Sequence, residues 1–540
     1  MNVLPSHAPG GNYLTDGLTL RSWLLTTDHK RIGLLYMGTI LLFFLLGGAA
    51  AALIRFNLLS PAGLLGSRAA YDRLFTMHGI IMVWFFLVPA APAVLGNFVL
   101  PLMVGARDLA FPRLNLASWY LFLAGGACVL TAFFRGGLDT GWTFYAPFST
   151  GYAHGMVALA ALGIILAGYS SIAGGLNFII TIHRLRAPGL TWYRLPIFCW
   201  SLYATSMLNV LATPVLTMVL MMMATERIWG VGFFGPVMGG DPLLFQHLFW
   251  FYSHPAVYIM IMPGFGIVSE VIPAFASRPL FGYKFVAWAS IAIGVISFFV
   301  WGHHMFVAGV STFSNTVFSL LSYGVAVPSA IKVFNWIGTL ERGYVRLDAP
   351  MLYALGFVGL FTTGGLSGLF LAGLGADVYL HDTYFVIAHF HFIMVGGMVT
   401  AFFAGLHFWW PKMTGRLYSA FWSRCAAILL FAGFNVTFMP QYILGYLGMP
   451  RRYASYDPQF TALNVLSTGG ALILAAAYVL PLVYLGASLL RGARAPANPW
   501  GATGLEWQAA SPPPTENFAV IPVVTGPPYA YPRREEDMPP

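Results

Sequence analysis

Residues 243–268 read LLFQHLFWFYSHPAVYIMIMPGFGIV. At about 1.5 Å rise per residue, this run makes a helix longer than the roughly 30 Å hydrocarbon core of a bilayer. It is apolar almost throughout, yet it carries His254 and Tyr258 with Pro255 between them. An ionisable group at membrane depth is costly unless it is paired, liganded or bathed in water, so His254 needs a partner. Four residues apart on a helix, His254 and Tyr258 share one face about a turn apart, which lets the phenol approach the imidazole. Pro255 loosens the backbone hydrogen bonding beside the histidine.

The rest of the chain has the same character. Of 540 residues, 58% are hydrophobic, 16% aromatic and only 8% charged, a composition foreign to soluble domains. Twelve apolar stretches are long enough to cross a bilayer, at 32–56, 74–104, 115–135, 152–182, 195–224, 243–274, 282–308, 314–338, 348–372, 382–411, 417–445 and 460–490. The expected fold class is therefore an all-α integral membrane bundle of about twelve transmembrane helices. Residues 1–30 form a segment before the bundle, 31–492 the bundle itself, and 493–540 a proline-rich tail. With PPP at 512–514 and a charged end, RREED, at 533–537, the tail is expected to be extended and weakly ordered.

Cations set the orientation. With the N-terminus inside, seventeen lysines and arginines, from Arg21 to Arg494, fall on the inner side and seven, from Arg55 to Arg452, on the outer side. This bias predicts that both termini are cytoplasmic. The formal charge of +9 then reports topology, and nothing points to nucleic acid. The first twenty residues lack a basic start followed by an apolar run, so no cleaved signal peptide is expected. Cys128, Cys199 and Cys425 are isolated, which fits neither a disulfide framework nor a thiolate metal site.

Of 13 histidines, six gather at membrane depth: His78, His254, His303 with His304, and His389 with His391. His389 and His391 lie about 200° apart around one helix, too far to bind one metal but well placed to serve two cofactors on opposite faces. His303 and His304 are adjacent and can share an ion where the backbone is irregular. With His254 they supply three imidazoles and leave a coordination position open; copper suits such a set and dioxygen chemistry.

In order along the chain stand DHKRIGLLY, MHGIIM, GARDLAFPRLN, FWFYSHPAVY, WGHHMF, AVPSAIKVF, LHDTYFVIAHFHF, GMPRRY and NPWGATGLEW. From about residue 20 to 520 the sequence resembles subunit I of the haem-copper oxidases, in particular the aa3-type cytochrome c oxidases. That resemblance implies a catalytic subunit that oxidises cytochrome c, reduces O₂ to water and pumps protons in a bacterial cytoplasmic (inner) membrane. It implies two haem A groups, a copper called CuB, and a magnesium site. Its expected partners are a CuA-bearing subunit II, a subunit III, and cytochrome c or a fused or associated cytochrome domain; a respiratory supercomplex is a further expectation.

Residue by residue, the resemblance makes His78 and His391 the axial ligands of a low-spin haem and His389 the ligand of a high-spin haem. His254, His303 and His304 become the CuB ligands. Arg451 and Arg452 match a pair that holds haem propionates, Arg55 an arginine near a haem formyl group, and Trp142 a further cofactor-binding position. His381 and Asp382 match part of the magnesium site. In the family, the tyrosine matching Tyr258 is covalently joined to the copper ligand and supplies an electron and a proton for O–O cleavage. Lys332 matches the lysine of a proton channel toward that tyrosine, with Ser329 and Ser322 nearby. Asp108 matches the mouth of a second channel, lined by Tyr36, Asn97, Asn115, Ser118, Ser170, Ser171 and Asn177.

The chain departs from the common pattern directly after HisPro. Most relatives carry a glutamate that ends the second channel, whereas this chain has Ala256. Tyr252, one turn earlier on the same face, can bring a hydroxyl to that space, with Ser253 adding another; the chain resembles a TyrSerHisPro subgroup. Quinol oxidases share the core but carry an Arg, Asp, His and Gln set where this chain has Leu46, Ala50, Ala70 and Arg73, which favours cytochrome c as donor. Nitric oxide reductases lack the His254–Tyr258 pair, and a haem-free proton-coupled transporter would not need the ordered histidines.

Overall fold

The computed structural model describes residues 11–531. Among these residues the regular structure is helical, and β pairing is limited to isolated bridges. Eleven spans are long and apolar enough to cross a membrane. We number the helices α1 (His29–Asn57), α2 (Arg68–Val104), α3 (Pro112–Phe134), α4 (Val157–Arg184), α5 (Ile197–Trp229) and α6 (Pro242–Ala276). After the shorter α7 (Tyr283–Ser297) come α8 (Thr312–Leu340), α9 (Ala349–Ala372), α10 (Tyr384–Thr414), α11 (Ala420–Tyr446) and α12 (Pro458–Arg491). The expected seventh stretch, 282–308, is thus α7 followed by a tight 3₁₀ turn, Trp301–Met305, that carries His303 and His304. That turn supplies the irregular backbone which two adjacent ligands require.

Helix starts are set by short polar side chains that accept otherwise unpaired amides. Asp28 accepts from Lys30 and Arg31 before α1, Asp241 from Leu243 before α6, and Thr383 from Phe385 before α10. Consecutive helices pack side by side, α3 on α4, α5 on α6 and α11 on α12. The most apolar window of α6 is 100% buried, against 28% in α1, so α6 runs through the middle of the protein and α1 faces lipid. Two helices widen into π turns. In α2 these are Val83–Leu87 and Ala90–Gly96, around Pro89 and Pro92, which have no amide to donate. In α10 the π turn is Met394–Val399, directly after the HisPheHis motif. A Cβ at Gly364 would come within 2.8 Å of Ile393; the glycine lets α9 approach α10 closely.

The tail is extended, as expected, but the expectation of weak order fails for its described part. Residues 493–531 run across the helix ends on the side that also holds Asn12, which pairs with Pro514. Trp507 is 3% exposed and Asn517 1%. Trp500 donates its indole N–H to the Phe408 carbonyl at 2.8 Å, and Arg346 donates to the Trp500 carbonyl at 2.7 Å. Prolines leave few amides to satisfy, so an extended proline-rich chain can lie on a packed surface with only a few anchors. The RREED end lies outside the described residues.

Candidate functional site

The imidazole nitrogens of His254, His303 and His304 all lie within 4.8 Å of one another. His254 Nδ1 is 3.2 Å from His304 Nε2, and the His303 and His304 ring centroids are 4.3 Å apart. His303 Nδ1 lies 2.8 Å from Ser322 Oγ, whose own proton goes to the Phe318 carbonyl at 2.6 Å. Ser322 must therefore accept from His303 Nδ1, leaving the Nε2 lone pair free for a metal. His254 Nε2 is buried without a hydrogen-bond partner, on the ring that Tyr258 approaches to 4.9 Å between centroids. The donor set, three neutral imidazoles in an apolar interior, fits copper.

The other three histidines are oriented by carbonyls. His78 Nδ1 bonds to the Gly47 carbonyl at 2.9 Å and His391 Nδ1 to the Ile387 carbonyl at 2.8 Å. His389 Nδ1 shares the Gly364 carbonyl at 3.1 Å and Ser367 Oγ at 3.0 Å. A carbonyl only accepts, so each Nδ1 carries the proton and each Nε2 offers a lone pair, the tautomer an iron ligand needs. His407, also deep in α10, makes the contrast: its Nδ1 bonds to the Phe403 carbonyl and its Nε2 to the Tyr484 hydroxyl. Both nitrogens being engaged, it is a structural histidine.

Around these rings the remaining expected cofactor residues are held by the protein itself. Arg55 donates to the Asn464 carbonyl at 2.7 Å and to Thr468. Arg451 Nε donates to Asp382 at 2.7 Å, and His381 stands between Asp377 and Asp382 at 3.5 and 3.6 Å. Arg452 has no such carboxylate; burial, reinforced by the Arg451 charge, lowers it to about 10. A guanidinium pair with one member short of an anion suits a propionate. Trp142 packs where Gly79 leaves room, since a Cβ there would come within 2.7 Å of the tryptophan.

On the tail side, Asp108 lies in the loop between α2 and α3. Burial raises its carboxyl to about 7, against the lowering effect of the Leu109 amide. A cavity of about 30 Å³ is lined by Tyr36, Asn97, Ser118, Ser170 and Ser171, room enough for water. Tyr36 hydroxyl sits 2.9 Å from both Ser118 and Ser170. Asn115 has both amide atoms buried without partners and Asn97 has its Oδ1 so. Asn177 is brought elsewhere: its amide is used on both sides by the Phe111 backbone, at 2.9 Å each. Thr205, Ser206 and Asn209 also line the cavity, and no sequence signal distinguishes them from other polar helix residues. Tyr252 and Ser253 are both 2% exposed, and Ser253 Oγ has no partner.

Lys332 is fully buried and donates to the Val286 carbonyl at 3.0 Å and to Ser290 Oγ at 2.7 Å, both on α7. Ser329 bonds back to Val325. Ser322 bonds to His303 and so touches the three-histidine cluster itself. Lys412 in α10 is also wholly buried, holding the tail carbonyls of Ala497 and Ala509 at 2.9 and 2.5 Å. Glu270, a lone carboxylate in the apolar run of α6, was the overlooked signal: it accepts from the Phe198 amide at 3.0 Å and from Tyr529 of the tail at 2.6 Å.

Twelve helices enclosing six inward imidazoles, each with a nitrogen left for a metal, define a membrane-embedded redox protein. Residues 31–473 match the family described as Cytochrome C and Quinol oxidase polypeptide I, and the chain belongs to that family. It is 45% identical over 504 residues to cytochrome c oxidase subunit 1 of Synechocystis sp., covering 93% of this chain and 91% of the relative. It is 42% identical to the Bacillus subtilis protein of that name, covering 95% and 83%. The Cereibacter sphaeroides protein is 40% identical, covering 93% and 95%. A solved heme-copper terminal oxidase dimer has the same fold, with a TM-score of 0.74 at 20% identity over 87% of this chain and 86% of that one. Family membership implies haem and copper as cofactors.

Proposed function

We propose that this chain is the catalytic subunit of a cytochrome c oxidase in a bacterial cytoplasmic membrane, with both termini cytoplasmic. The observation that carries the reading is the cluster of His254, His303 and His304 beside Tyr258, in the same bundle as the tautomer-fixed His389 and His391. His254, His303 and His304 hold CuB, His389 a high-spin haem A, and His78 with His391 a low-spin haem A. When bound, these groups supply electron transfer and the site at which O₂ takes four electrons and four protons to give two waters. Arg451 and Arg452 bind propionates, with Arg55 and Trp142 against the haems, and His381 with Asp382 contributes to a magnesium site facing subunit II.

The chain's own residues manage protons. Tyr258 holds a proton at its phenolic oxygen next to His254, and Lys332 delivers protons toward it. Asp108 takes up protons from the tail side, Tyr36, Asn115, Ser118 and Ser170 hold the water that carries them, and Tyr252 with Ser253 ends the route that a glutamate ends elsewhere. Electrons arrive from a CuA-bearing subunit II; subunit III completes the complex. The test is a reduced-minus-oxidised spectrum of the purified complex, with and without CO, plus oxygen uptake on reduced cytochrome c and on quinol. Two haem A signals, one CO-reactive, with turnover on cytochrome c support the reading; turnover on quinol alone replaces the donor, and absence of haem overturns it.

A further inference from the structure

The tail does more than cover helix ends. Asn517 is 1% exposed with φ 64°, the left-handed region that asparagine tolerates better than most residues. Its Nδ2 donates to the Ala106 carbonyl at 2.9 Å and the Arg107 carbonyl at 3.1 Å, the two residues directly before Asp108. The same Nδ2 lies 2.9 Å from His29 Nε2, and Lys30 donates to Asn517 Oδ1 at 2.8 Å. His29 Nδ1 in turn bonds to the Asn97 carbonyl at 2.6 Å. Since that carbonyl only accepts, His29 Nε2 is an acceptor and the Asn517 amide is fixed in one orientation. One buried side chain of the tail therefore ties together the Asp108 loop, the start of α1 and the floor of the polar cavity.

We propose that Asn517 is a positioning residue for proton uptake at Asp108, holding the 106–107 backbone that leads directly into it. This rests on reading Asp108 as the mouth of that path. The charges facing Asp108 are Asp28 and Lys30 from the start of α1, paired at 3.0 Å, Arg107 beside it, and Glu516 of the tail, 3.7 Å from Arg107. His29, bonded to Asn517, is a further titratable group of this cluster. Burial is what raises the Asp108 carboxyl; a loosened loop admits water and returns it toward the ordinary carboxylate range.

The experiment uses the complete oxidase in vesicles and follows proton uptake by rapid mixing with a pH indicator from pH 6 to 9. Asn517→Gly keeps the left-handed backbone and removes only the side chain. It is expected to slow uptake about three- to tenfold, the scale of a lost positioning hydrogen bond, and to move the midpoint of the pH profile downward with haem spectra unchanged. Asn517→Asp keeps the acceptor for Lys30 but loses both carbonyl contacts; read by rate alone, it is expected to be slow as well, and it carries the test if the glycine variant fails to assemble. Asp108→Asn is the control. If it slows uptake while Asn517→Gly retains the wild-type rate and midpoint, positioning by Asn517 is wrong. If Asp108→Asn itself leaves uptake unchanged, the path reading fails and this proposal with it.

Discussion

The indole of Trp250 lies face to face with the imidazole of His304, ring centroids 3.9 Å apart and planes 11° from parallel. The indole is anchored by its N–H, which donates to the Tyr145 hydroxyl at 2.6 Å. Stacking on a fixed plate restricts rotation of a ligand whose backbone, in a tight 3₁₀ turn, gives it little support of its own. Trp250→Leu is therefore expected to lower copper content while both haem signals persist. Metal analysis per haem checks this, and full copper occupancy in the variant would refute it.

Ser322 accepts from His303 Nδ1, so it fixes the tautomer of a histidine proposed to hold copper. Ser322→Ala is expected to weaken copper retention or turnover about 10- to 100-fold, the usual scale for a lost ligand-orienting partner. Ser329→Ala, which removes only a bond to its own helix, should leave copper in place. Equal copper loss in the two variants would show that Ser322 has no special role.

Lys332→Met keeps the length of the side chain and removes its charge and its bonds to Val286 and Ser290. Steady-state oxygen consumption should be abolished because the binuclear site no longer receives the proton that accompanies its reduction. Stopped-flow reduction of the high-spin haem should stall. Near-normal oxygen consumption would remove Lys332 from the proton supply.

Tyr252 is buried beside Ser253, whose Oγ has no partner, and the proposed function has its hydroxyl serve in place of the absent glutamate. Tyr252→Phe is expected to cut turnover and proton uptake together while leaving ligand spectra intact. Unchanged turnover and uptake would mean that another group ends the route.

Asp108 has its proton affinity raised by burial to about 7. Below the ordinary carboxylate range the folded and unfolded chains both hold this proton; between there and about pH 7 only the folded chain does, so its ionisation costs stability as pH rises. Asp108→Asn removes that cost. The thermal stability of the variant relative to the wild type should therefore improve from pH 5 to pH 8. A constant difference across that range would show that the carboxyl is not buried in solution.

Much of this site could be read from residue types and spacing. That His389 and His391 face opposite sides of one helix follows from their divergence of about 200°, and that inference requires no tertiary information. His303 and His304 signal an irregular backbone for the same reason, and the 3₁₀ turn supplies it. What spacing could not reveal was which polar groups meet. Ser322 looked like a member of the lysine route because both lie on α8, but only three-dimensional packing brings it to His303. Asn177 looked like channel lining, and its amide instead closes on the Phe111 backbone. The order of the tail was hidden because proline-rich composition speaks only to local stiffness, while its anchors, Lys412, Glu270 and His29, are distributed over the whole chain.

The contact between His29 and Asn517 joins residues 488 positions apart. Most helices here pack against their sequence neighbours and can associate as they enter the membrane, whereas this clasp closes a loop that takes in every span. The C-terminal segment is also the last to leave the ribosome. Asp108 and Asn97 therefore reach their final surroundings only after every span has been made, and a bundle whose synthesis stopped early would lack the Asn517 clasp. The order of biosynthesis thereby makes the Asp108 loop one of the last parts of the bundle to be fixed in place.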